Sequence, residues 1–584
     1  MQPVDFTTLC AIYADFRTSW LPARLEQVIQ SDRTQLALAL RTLDRRGWLR
    51  LCWHRQAAHL CLSSPPPKVP DTFTFSDQLR HQLKGLALVD VSPLSPWERV
   101  LDFQFARRPG DPLQGHLYVE IMGKYSNVIL TNAENLIITA AHQVSAQQSR
   151  LRPILTGQPY EPPPAMTGAT PRLDESFERW QERISLIPNA LRRNLLTPYR
   201  GLSSALVRSL CARANLDPET PTDQLSDADW QRLFASWQEW LTILETQNFQ
   251  PGWTESGYSV LGWDAHTPVD DVQGLIDRYY RDRLNQQLFQ QLRHQLSQKL
   301  SQTLKKLQTK RQTFLDKLQQ SHDADQQRQQ ADLLMAHLQD WTPGLNEITL
   351  ADFETGDPIT IPLDPEKNAV SNAQALYKQH QKLKRAKQAV QPLLSATEAE
   401  ISYLQQVEAA LDQLGPYQQP DDLSALEDIR DELVEQDYLS SPQHRPQRES
   451  APDPFHHFQT PSGLEILVGR NNRQNDQLSF RIATEYDLWF HTQEIPGSHV
   501  LLRLPPGTHP DPKDLQFAAD IAAYYSRARD SDAAPVVYAE PKYVYKPKGA
   551  KPGMAIYKHE TVLWGNPGQV ERQLESRGRG PASR

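Results

Sequence analysis

The chain has 584 residues and a formal net charge of -8, with a pI of about 6.1. This length is too great for one compact core and predicts about three to five domains. The acidic balance excludes a protein that is basic over its whole surface, so a nucleic-acid partner requires local basic patches.

Cysteine usage and the N-terminus predict the compartment. Cys10, Cys52, Cys61 and Cys211 show no zinc-like spacing, and so few thiols are typical of a reducing compartment. The N-terminus lacks a basic start followed by an apolar run, which disfavours a secretory signal. No stretch reaches the length of about 18 apolar residues that a membrane span requires. We therefore expect a cytoplasmic protein without a metal site or a membrane span.

Residues 1–165 mix a predicted opening helix, 6–30, with short strands such as GWLRLCWH and VLDFQFA, and end in the proline-rich YEPPPAM. This mixture predicts an α+β domain followed by a linker. Within it, YVEIMGKYSNVILTN predicts a β-hairpin whose turn carries Gly123, Lys124, Ser126 and Asn127. A hairpin alone does not require Glu120, Lys124 and Ser126, which makes these three residues candidates for a function.

The pattern then becomes helical. Residues 171–248 predict a small helical domain, in which Leu202, Leu206 and Leu210 share a face after Gly201. Leucines from Leu284 to Leu318 and an apolar series from Leu383 to Leu414 predict the arms of an antiparallel coiled-coil hairpin over 270–438. Turn residues and short strands between the arms predict a tip module at about 340–370, and Pro392 predicts a kink or local opening.

Charge is segregated along this hairpin. Residues 293–320 hold seven bases and one acid, and LYKQHQKLKRAKQ holds five bases and no acid, whereas DDLSALEDIRDELVEQD holds eight acids and one base. Two interpretations stay open: a solvated coiled-coil surface, or an arm that lies on phosphate backbone. The contacting residues of such an arm are Lys305, Lys306, Lys310, Lys382, Lys384, Arg385 and Lys387.

A polar, proline-rich segment at 440–454 predicts a linker, and 571–584 forms a basic tail. Between them, 455–570 predicts an α+β domain with one helix, PKDLQFAADIAAYYSRAR. Its cluster VGRNNRQNDQLSF fits either left-handed turn positions or a polar binding loop. YDLWFHTQEIPGSHVLLR suits stacking on a base and hydrogen bonding to phosphate, although Trp489 and Phe490 also fit a core. The candidate residues of this domain are Arg470, Asn471, Asn472, Asn475, Asp476, Trp489, His491, Gly497, Ser498, His499, Lys546, Lys548 and Lys551.

No catalytic signature is present. The sequence contains no GxxxxGK[ST], no G-x-S-x-G, no HExxH and no Cys/His metal spacing, so it predicts neither catalytic residues nor a cofactor. This leaves a multidomain protein that binds structured RNA.

Several segments together resemble the NFACT family, in order along nearly the whole chain. They are YVEIMGKYSNVILTN, LIDRYYRDRL, ITIPLDPEKNAVSNAQALYKQHQKLKRA, VGRNNRQNDQLSFRIA, DLWFHTQEIPGSHVLLR and KPKGAKPGMAIY. The resemblance implies an N-terminal α/β lobe similar to that of formamidopyrimidine-type glycosylases, a helix-hairpin-helix-like domain at 171–248 and an NFACT-R domain at 455–570. Base excision is not expected, because the glycosylases need a free N-terminal proline and this chain begins Met1-Gln2-Pro3.

The resemblance also implies a function in ribosome-associated quality control. Family members bind large ribosomal subunits obstructed by peptidyl-tRNA and recruit charged tRNA, alanyl-tRNA in bacteria, for mRNA-independent tailing of the nascent chain. The ribosome makes the peptide bond, so the chain would not be an enzyme. The implied partners are the large subunit with its rRNA and peptidyl-tRNA, and tRNA, with neither DNA nor a membrane.

The family carries an Asp-Arg pair needed for tRNA recruitment. SPWERVLDF provides Glu98 and Arg99 at these positions, so Arg99 matches and Glu98 is longer by one methylene. Asp5 occupies the place of an early family aspartate. The implied tRNA-handling residues are Asp5, Glu98, Arg99, Glu120, Gly123, Lys124, Ser126 and Asn127.

Two other functions remain as alternatives. An older family label suggests a surface adhesin that binds fibronectin, which the missing export signal and the cysteine pattern disfavour. The other alternative is a coiled-coil scaffold without RNA affinity, whose binding would depend little on salt.

Overall fold

The computed structural model describes residues 1–164, 167–440 and 455–578, with side chains for all of these except 320–323 and 573–578. It shows a multidomain α+β protein with an N-terminal sheet, long helices and a C-terminal α+β domain. The described chain forms two compact units, one from Met1–Asn285 and one from the residues after 285.

The first unit is built on a nine-stranded antiparallel sheet. Its elements are α1 (Phe6–Trp20), β1 (Ala23–Gln30), β2 (Gln35–Arg41), β3 (Arg46–Cys52), β4 (His59–Ser63), α2 (Thr74–Leu83), β5 (Ala87–Pro93), β6 (Val100–Ala106), β7 (Leu113–Glu120), β8 (Asn127–Asn132) and β9 (Ile137–Ala140). The strand order is β4-β3-β2-β1-β5-β6-β7-β8-β9. The predicted strands GWLRLCWH and VLDFQFA correspond to β3 and β6.

The predicted opening helix is wrong beyond Trp20. Pro22 disfavours helical backbone at the residue before it, and 23–30 form β1 instead. The hairpin predicted from YVEIMGKYSNVILTN is confirmed as β7 and β8, joined by a turn that contains Gly123.

A helical segment completes the first unit. It consists of α3 (Phe177–Ser185), α4 (Leu191–Leu196), α5 (Ser204–Arg213) and α6 (Asp227–Thr246), followed by the short strands β10 (Gly252–Trp253), β11 (Tyr258–Ser259) and β12 (Thr267–Pro268). Trp180, Trp237 and Trp240 are fully buried in its core. Leu206 and Leu210 join this core as their spacing predicts, and Leu202 packs against it from before the start of α5.

The long helices follow. They are α7 (Val272–Ala336), the hairpin strands β13 (Glu347–Ala351) and β14 (Pro358–Pro362), α8 (Ala369–Gln413) and α9 (Pro420–Glu435). α8 runs antiparallel to the second half of α7, since Arg311 pairs with Glu398 and His380 contacts the Ala324 carbonyl. Leucines 296, 300, 304 and 307 of α7 pack with apolar residues of α8 and α9.

Two helices form the part of the chain that holds the second arm. α8 ends at Gln413, next to the last residue of the predicted apolar series, Leu414; Gly415 takes φ 63, and α9 begins with Pro420 in its first turn. α8 is helical on both sides of Pro392, and the kink expected there stays a prediction.

The C-terminal domain is a six-stranded antiparallel sheet of order β15-β16-β18-β17-β19-β22. Its elements are β15 (His456–Gln459), β16 (Glu465–Val468), α10 (Asn472–Gln477), β17 (Leu488–Thr492), β18 (Val500–Leu502), α11 (Pro512–Tyr524), β19 (Ala534–Ala539), β20 (Val544–Tyr545), β21 (Ile556–Tyr557), β22 (Thr561–Gly565) and α12 (Pro567–Gly578). β20 and β21 form a separate two-stranded ribbon. Of the predicted linker and tail, 441–454 and 579–584 lie outside the described residues.

Candidate nucleic-acid interface

Asp5 and Arg99 lie near each other at the start of α1. Asp5 is the buried N-cap of this helix, and its carboxylate accepts hydrogen bonds from the Thr8 backbone N–H at 2.8 Å and from Ser203 Oγ at 2.6 Å. The guanidinium of Arg99 donates to the Val4 carbonyl oxygen at 3.3 Å. Burial lowers the pKa of Arg99, and the charges of Asp5 and Glu98 oppose that shift. Asp5 therefore positions the N-terminus and Arg99, rather than presenting a carboxylate to a ligand.

A cleft of about 370 Å³ opens beside this pair, lined by Met1, Pro3, Val4, Arg55, Gln56, Ala58, Ile121 and Gly123. Gly123 takes φ 57, which favours glycine, and the turn that it starts exposes Lys124 and Tyr125. The Tyr125 side chain is 70% exposed, and the Lys124 ammonium lies 4.9 Å from the centroid of its ring. An ammonium group beside an open aromatic face suits contact with a phosphate and a base.

Three other candidate residues of this hairpin are buried and bonded within the lobe. Glu120 pairs through both oxygens with the Arg152 guanidinium and accepts a hydrogen bond from the Tyr160 hydroxyl at 2.9 Å. The amide of Asn127 donates to the His142 carbonyl oxygen at 2.7 Å, and Ser126 Oγ accepts from the Met122 N–H at 2.8 Å. Direct tRNA contact by these three side chains is thus a wrong expectation, because their polar atoms already have partners inside the protein.

The polar cluster of the C-terminal domain is a joint with α9. The two asparagines do not take left-handed turn positions, and the segment is a short helix instead of a loop. Residues 472–477 form α10, capped by the Asn471 side chain. Four consecutive residues contact four acids of α9, in the pairs Arg470–Asp422 (2.5 Å), Asn471–Asp428 (3.5 Å), Asn472–Glu432 (3.0 Å) and Arg473–Glu435 (2.5 Å). The acidic segment of the sequence is therefore a partner of this domain.

The remaining cluster residues complete the joint from within the domain. Asn475 accepts a hydrogen bond from the His499 N–H at 3.1 Å, and Asp476 accepts from the Gly553 N–H at 3.0 Å. Gly553 has φ 78, and a Cβ there would lie 2.5 Å from Asn472 Oδ1, so only glycine fits this approach.

The aromatic and imidazole groups of DLWFHTQEIPGSHV also lie in the interior. Trp489 is 1% exposed, and its indole N–H donates to Ser479 Oγ at 2.9 Å, so this ring is a core residue, which is the second of the two alternatives given for it above. His499 is buried beside Ser479, and burial lowers its pKa to about 3, which leaves a neutral imidazole. Ser498 donates to the Gln413 side chain at 3.0 Å. His491 and Gly497 are half-buried beside these groups.

The three candidate lysines of this domain differ in whether their ammonium groups already have a partner within the protein. Lys546 pairs with Asp476, and Lys551 donates to the Tyr438 hydroxyl with its ammonium 4.5 Å from the ring centroids of Tyr403 and Tyr438. Lys548 is exposed and has no acidic partner among the described residues. It is thus the member of this set best placed for a phosphate.

The predicted basic arm is exposed on both long helices. All seven of its candidate residues are exposed, and none has an ion-pair partner in the described part of the chain; they are Lys305, Lys306, Lys310, Lys382, Lys384, Arg385 and Lys387. Coulomb attraction between these cations and an external polyanion is therefore not offset by local acids.

Comparison with known proteins identifies the architecture. A model described as NFACT N-terminal and middle domains matches residues 5–452, and one described as NFACT protein RNA binding domain matches 454–558. The chain belongs to the NFACT family. Residues 470–476, Lys546, Lys548 and Lys551 thus lie in its NFACT RNA-binding domain.

Curated relatives of this NFACT chain match it over almost its whole length. "Rqc2 homolog RqcH" of Bacillus subtilis (strain 168) is 32% identical over 561 residues, covering 93% of this chain and 94% of the relative. The protein of the same name from Streptococcus suis (strain 05ZYH33) is 30% identical over 565 residues, covering 94% and 95%. Among solved structures, the C-terminal part of the fibronectin/fibrinogen-binding protein of Streptococcus suis is similar, with 29% identity, a TM-score of 0.38, and coverage of 49% of this chain and 98% of that one.

The described part of this NFACT chain contains no group of three or more His, Cys, Asp or Glu residues arranged for a metal ion. None of its described helices combines the length and apolarity that a membrane span needs. Sequence patterns did not single out Arg55, which lines the N-terminal cleft, or Tyr125, which lies in the turn that begins at Gly123. The signal for Tyr125 is an aromatic residue next to Lys124 in a polar turn.

Proposed function

We propose that the protein is a ribosome quality control factor. It binds large ribosomal subunits obstructed by peptidyl-tRNA and recruits charged tRNA, alanyl-tRNA in the first instance, for mRNA-independent C-terminal tailing. The ribosome makes the peptide bond, and the protein acts in the cytoplasm by selection and positioning. The whole-length likeness to proteins named RqcH supports this function. The observation that carries it is the exposed basic arm without acid partners.

The finer architecture belongs to the same proposal. Residues 1–165 form a glycosylase-like lobe that handles tRNA, 171–248 a helix-hairpin-helix-like domain and 270–438 a coiled-coil hairpin that grips rRNA. Residues 455–570 form a second RNA-binding lobe.

Within the N-terminal lobe, we assign tRNA contact to the residues around the cleft. Arg99 and Lys124 supply positive charge, Tyr125 supplies an exposed ring, and Arg55 lines the cleft wall. Glu98 is half-exposed next to Arg99, where its longer side chain takes the place of the family aspartate. Asp5, Glu120, Ser126 and Asn127 hold the backbone that carries these groups.

The test is sequencing of the tRNAs that co-purify with the protein, together with co-sedimentation with large subunits. We expect one enriched tRNA for the unaltered chain, and loss of that tRNA with retained sedimentation for Arg99→Ala. Arg108→Ala removes an exposed arginine elsewhere in the lobe and should change neither result. Absence of both tRNA enrichment and subunit binding at low salt would refute the function.

A further inference from the structure

The last three strands of the C-terminal domain, β20, β21 and β22, carry four large apolar side chains that are exposed. Tyr545, Ile556, Val562 and Trp564 are 42%, 43%, 45% and 63% exposed, although all four lie in or beside the final sheet strands. Large exposed rings on a folded domain often mark a binding surface. The joint with α9 uses none of these four side chains.

The four side chains share one face of the domain. In the β20–β21 ribbon, Val544 and Tyr557 turn inward, with the Tyr557 ring 5.7 Å from that of Trp489, so the paired Tyr545 and Ile556 turn outward. On β22, Val562 pairs with Val537 and Trp564 with Pro535. Val537 belongs to the apolar cluster of Trp489, so Val562 and Trp564 lie on the sheet face that the ribbon covers. β22 is the outermost strand of the sheet.

Lysines lie beside these apolar groups, and the acids Glu494 and Glu560 act on Tyr557 of the same ribbon. Residues 541–564 hold five lysines and one acid, Glu560. Lys542 pairs with Glu540, and Lys546 pairs with Asp476. Lys548 and Lys558 are exposed without an acidic partner in the described residues, and the Lys558 ammonium lies 5.8 Å from the Tyr545 ring centroid.

We propose that this face, which we call the Tyr545–Trp564 face, binds unpaired RNA. It consists of Tyr545, Lys548, Ile556, Lys558, Val562 and Trp564. Tyr545 and Trp564 stack on bases, and Lys548 and Lys558 contact the phosphates on either side. The proposal rests on the proposed function and names the kind of RNA that this lobe contacts on the subunit.

Charge and composition favour RNA over a protein partner. Exposed aromatic rings interleaved with lysines are the composition of single-strand binding surfaces, whereas lysine is depleted at protein–protein interfaces. The partner is unpaired because stacking needs free base faces, which a duplex hides. The match to the NFACT RNA-binding domain extends to residue 558 and so includes the ribbon.

The experiment measures binding of the full chain to a fluorescent 12-nucleotide oligouridine and to a duplex of the same length at low salt. Trp564→Ala and Tyr545→Ala should each weaken single-strand affinity by about 5- to 150-fold, the range for loss of one base stack. Trp564→Phe keeps an aromatic ring and should retain most of the affinity. Tyr486→Ala removes a tyrosine of the same domain that is 46% exposed and is not one of the six residues of this face, and it should have no effect.

The outcomes separate this inference from the proposed function. Unchanged single-strand affinity in both alanine variants overturns the inference, even if all variants still sediment with large subunits. Loss of subunit binding by Trp564→Ala without loss of oligonucleotide binding also overturns it, since the face would then contact a ribosomal protein. Single-strand binding by the face in a chain that binds neither subunits nor tRNA would support the inference and refute the proposed function.

Discussion

Glu120 is a carboxylate at 1% exposure, and three hydrogen bonds surround it: two from the Arg152 guanidinium and one from the Tyr160 hydroxyl. The Tyr160 ring stacks on Tyr118 at 3.8 Å, and the Arg152 guanidinium lies 5.3 Å from the Tyr160 centroid. These contacts attach the segment after β9 to the β7–β8 hairpin. At residue scale, the carboxylate therefore supports the hairpin that presents Lys124 and Tyr125.

We predict that Glu120→Gln destabilises this hairpin. The substitution keeps the shape but leaves the buried Arg152 charge without its counter-ion, which typically costs about 3–5 kcal/mol. Hydrogen exchange of residues 113–132 should accelerate accordingly at pH 7. Glu134→Gln, at an exposed site of the same lobe, is the matched control. Normal exchange protection combined with lost tRNA binding would contradict the supporting role and favour direct contact.

At the scale of elements, the joint between α9 and α10 connects the long helices to the C-terminal domain. Arg470 and Asp422 form an ion pair with side chains only 6% and 9% exposed, which makes it a buried pair. Glu432, further along α9, is also buried and accepts hydrogen bonds from the Tyr403 hydroxyl at 2.7 Å and from the Asn472 amide. Its Oε2 atom has no hydrogen-bond partner in the structure. One oxygen without a donor is the arrangement that a protonated carboxyl tolerates best.

The stability of this joint should therefore depend on the charge of Glu432. Burial raises the pKa of Glu432 from 4.5 to about 7, although Tyr403, Asn472 and the Arg473 charge oppose the shift. Asp476 reinforces the shift, and Lys551 also faces this group. The folded state holds the proton of Glu432 more tightly than the unfolded state. The contribution of this proton to the free energy of unfolding is therefore complete below about pH 4.5 and is lost as the pH rises to about 7.

We predict that Glu432→Gln stabilises the joint at pH 8 and flattens its pH dependence. The increase in the free energy of unfolding at pH 8 approaches about 3 kcal/mol, since each unit of pKa shift corresponds to about 1.4 kcal/mol. Denaturant unfolding of the full chain at several pH values between 5 and 8 measures it, with tryptophan fluorescence as the signal. Glu435→Gln, at the exposed end of the same helix, should leave the pH dependence of the free energy of unfolding unchanged. An unchanged slope in Glu432→Gln would show that this carboxyl stays ionised.

On the scale of the whole molecule, a net charge of -8 coexists with an exposed cationic arm. The acids of α9 do not neutralise this arm, because four of them contact the C-terminal domain. The positive electrostatic potential of the arm therefore remains available to attract an external polyanion, although the net charge of the chain is negative. Net charge alone is thus a poor guide to RNA affinity in this protein.

We predict that reversing Lys382, Lys384 and Lys387 to glutamate weakens binding to large subunits and leaves tRNA binding in place. If each lysine contacts one phosphate, the slope of log K against log salt concentration should become shallower by about 2–3, because each contact contributes roughly 0.7–0.9 to that slope. Sedimentation between about 50 and 200 mM salt measures this slope. The three arginine replacements keep the charge and should behave like the unaltered chain. Equal affinity of the glutamate variant at low salt would refute the arm as the subunit grip.

Sequence by itself determined the features that short-range patterns encode. The leucine spacing predicted the long helices, the turn residues between them predicted β13 and β14, and YVEIMGKYSNVILTN predicted the β7–β8 hairpin. The ordered motifs predicted NFACT membership, which the comparisons confirm. The exposed lysines of the arm followed from runs of like charge, which fold to a solvent-facing surface.

Only the tertiary structure decided which polar residues are available to a ligand. Asp422 and Arg470 are 48 positions apart, and Glu120 and Arg152 are 32 apart, so no local pattern reveals that each is buried against the other. The same holds for the aromatic residues of the C-terminal domain. The ring of Trp489 is buried under the β20–β21 ribbon, whereas the rings of Tyr545 and Trp564 are exposed. A polar or aromatic residue is a ligand contact or a structural one according to its long-range neighbours, and burial by those neighbours is a property of the folded chain alone.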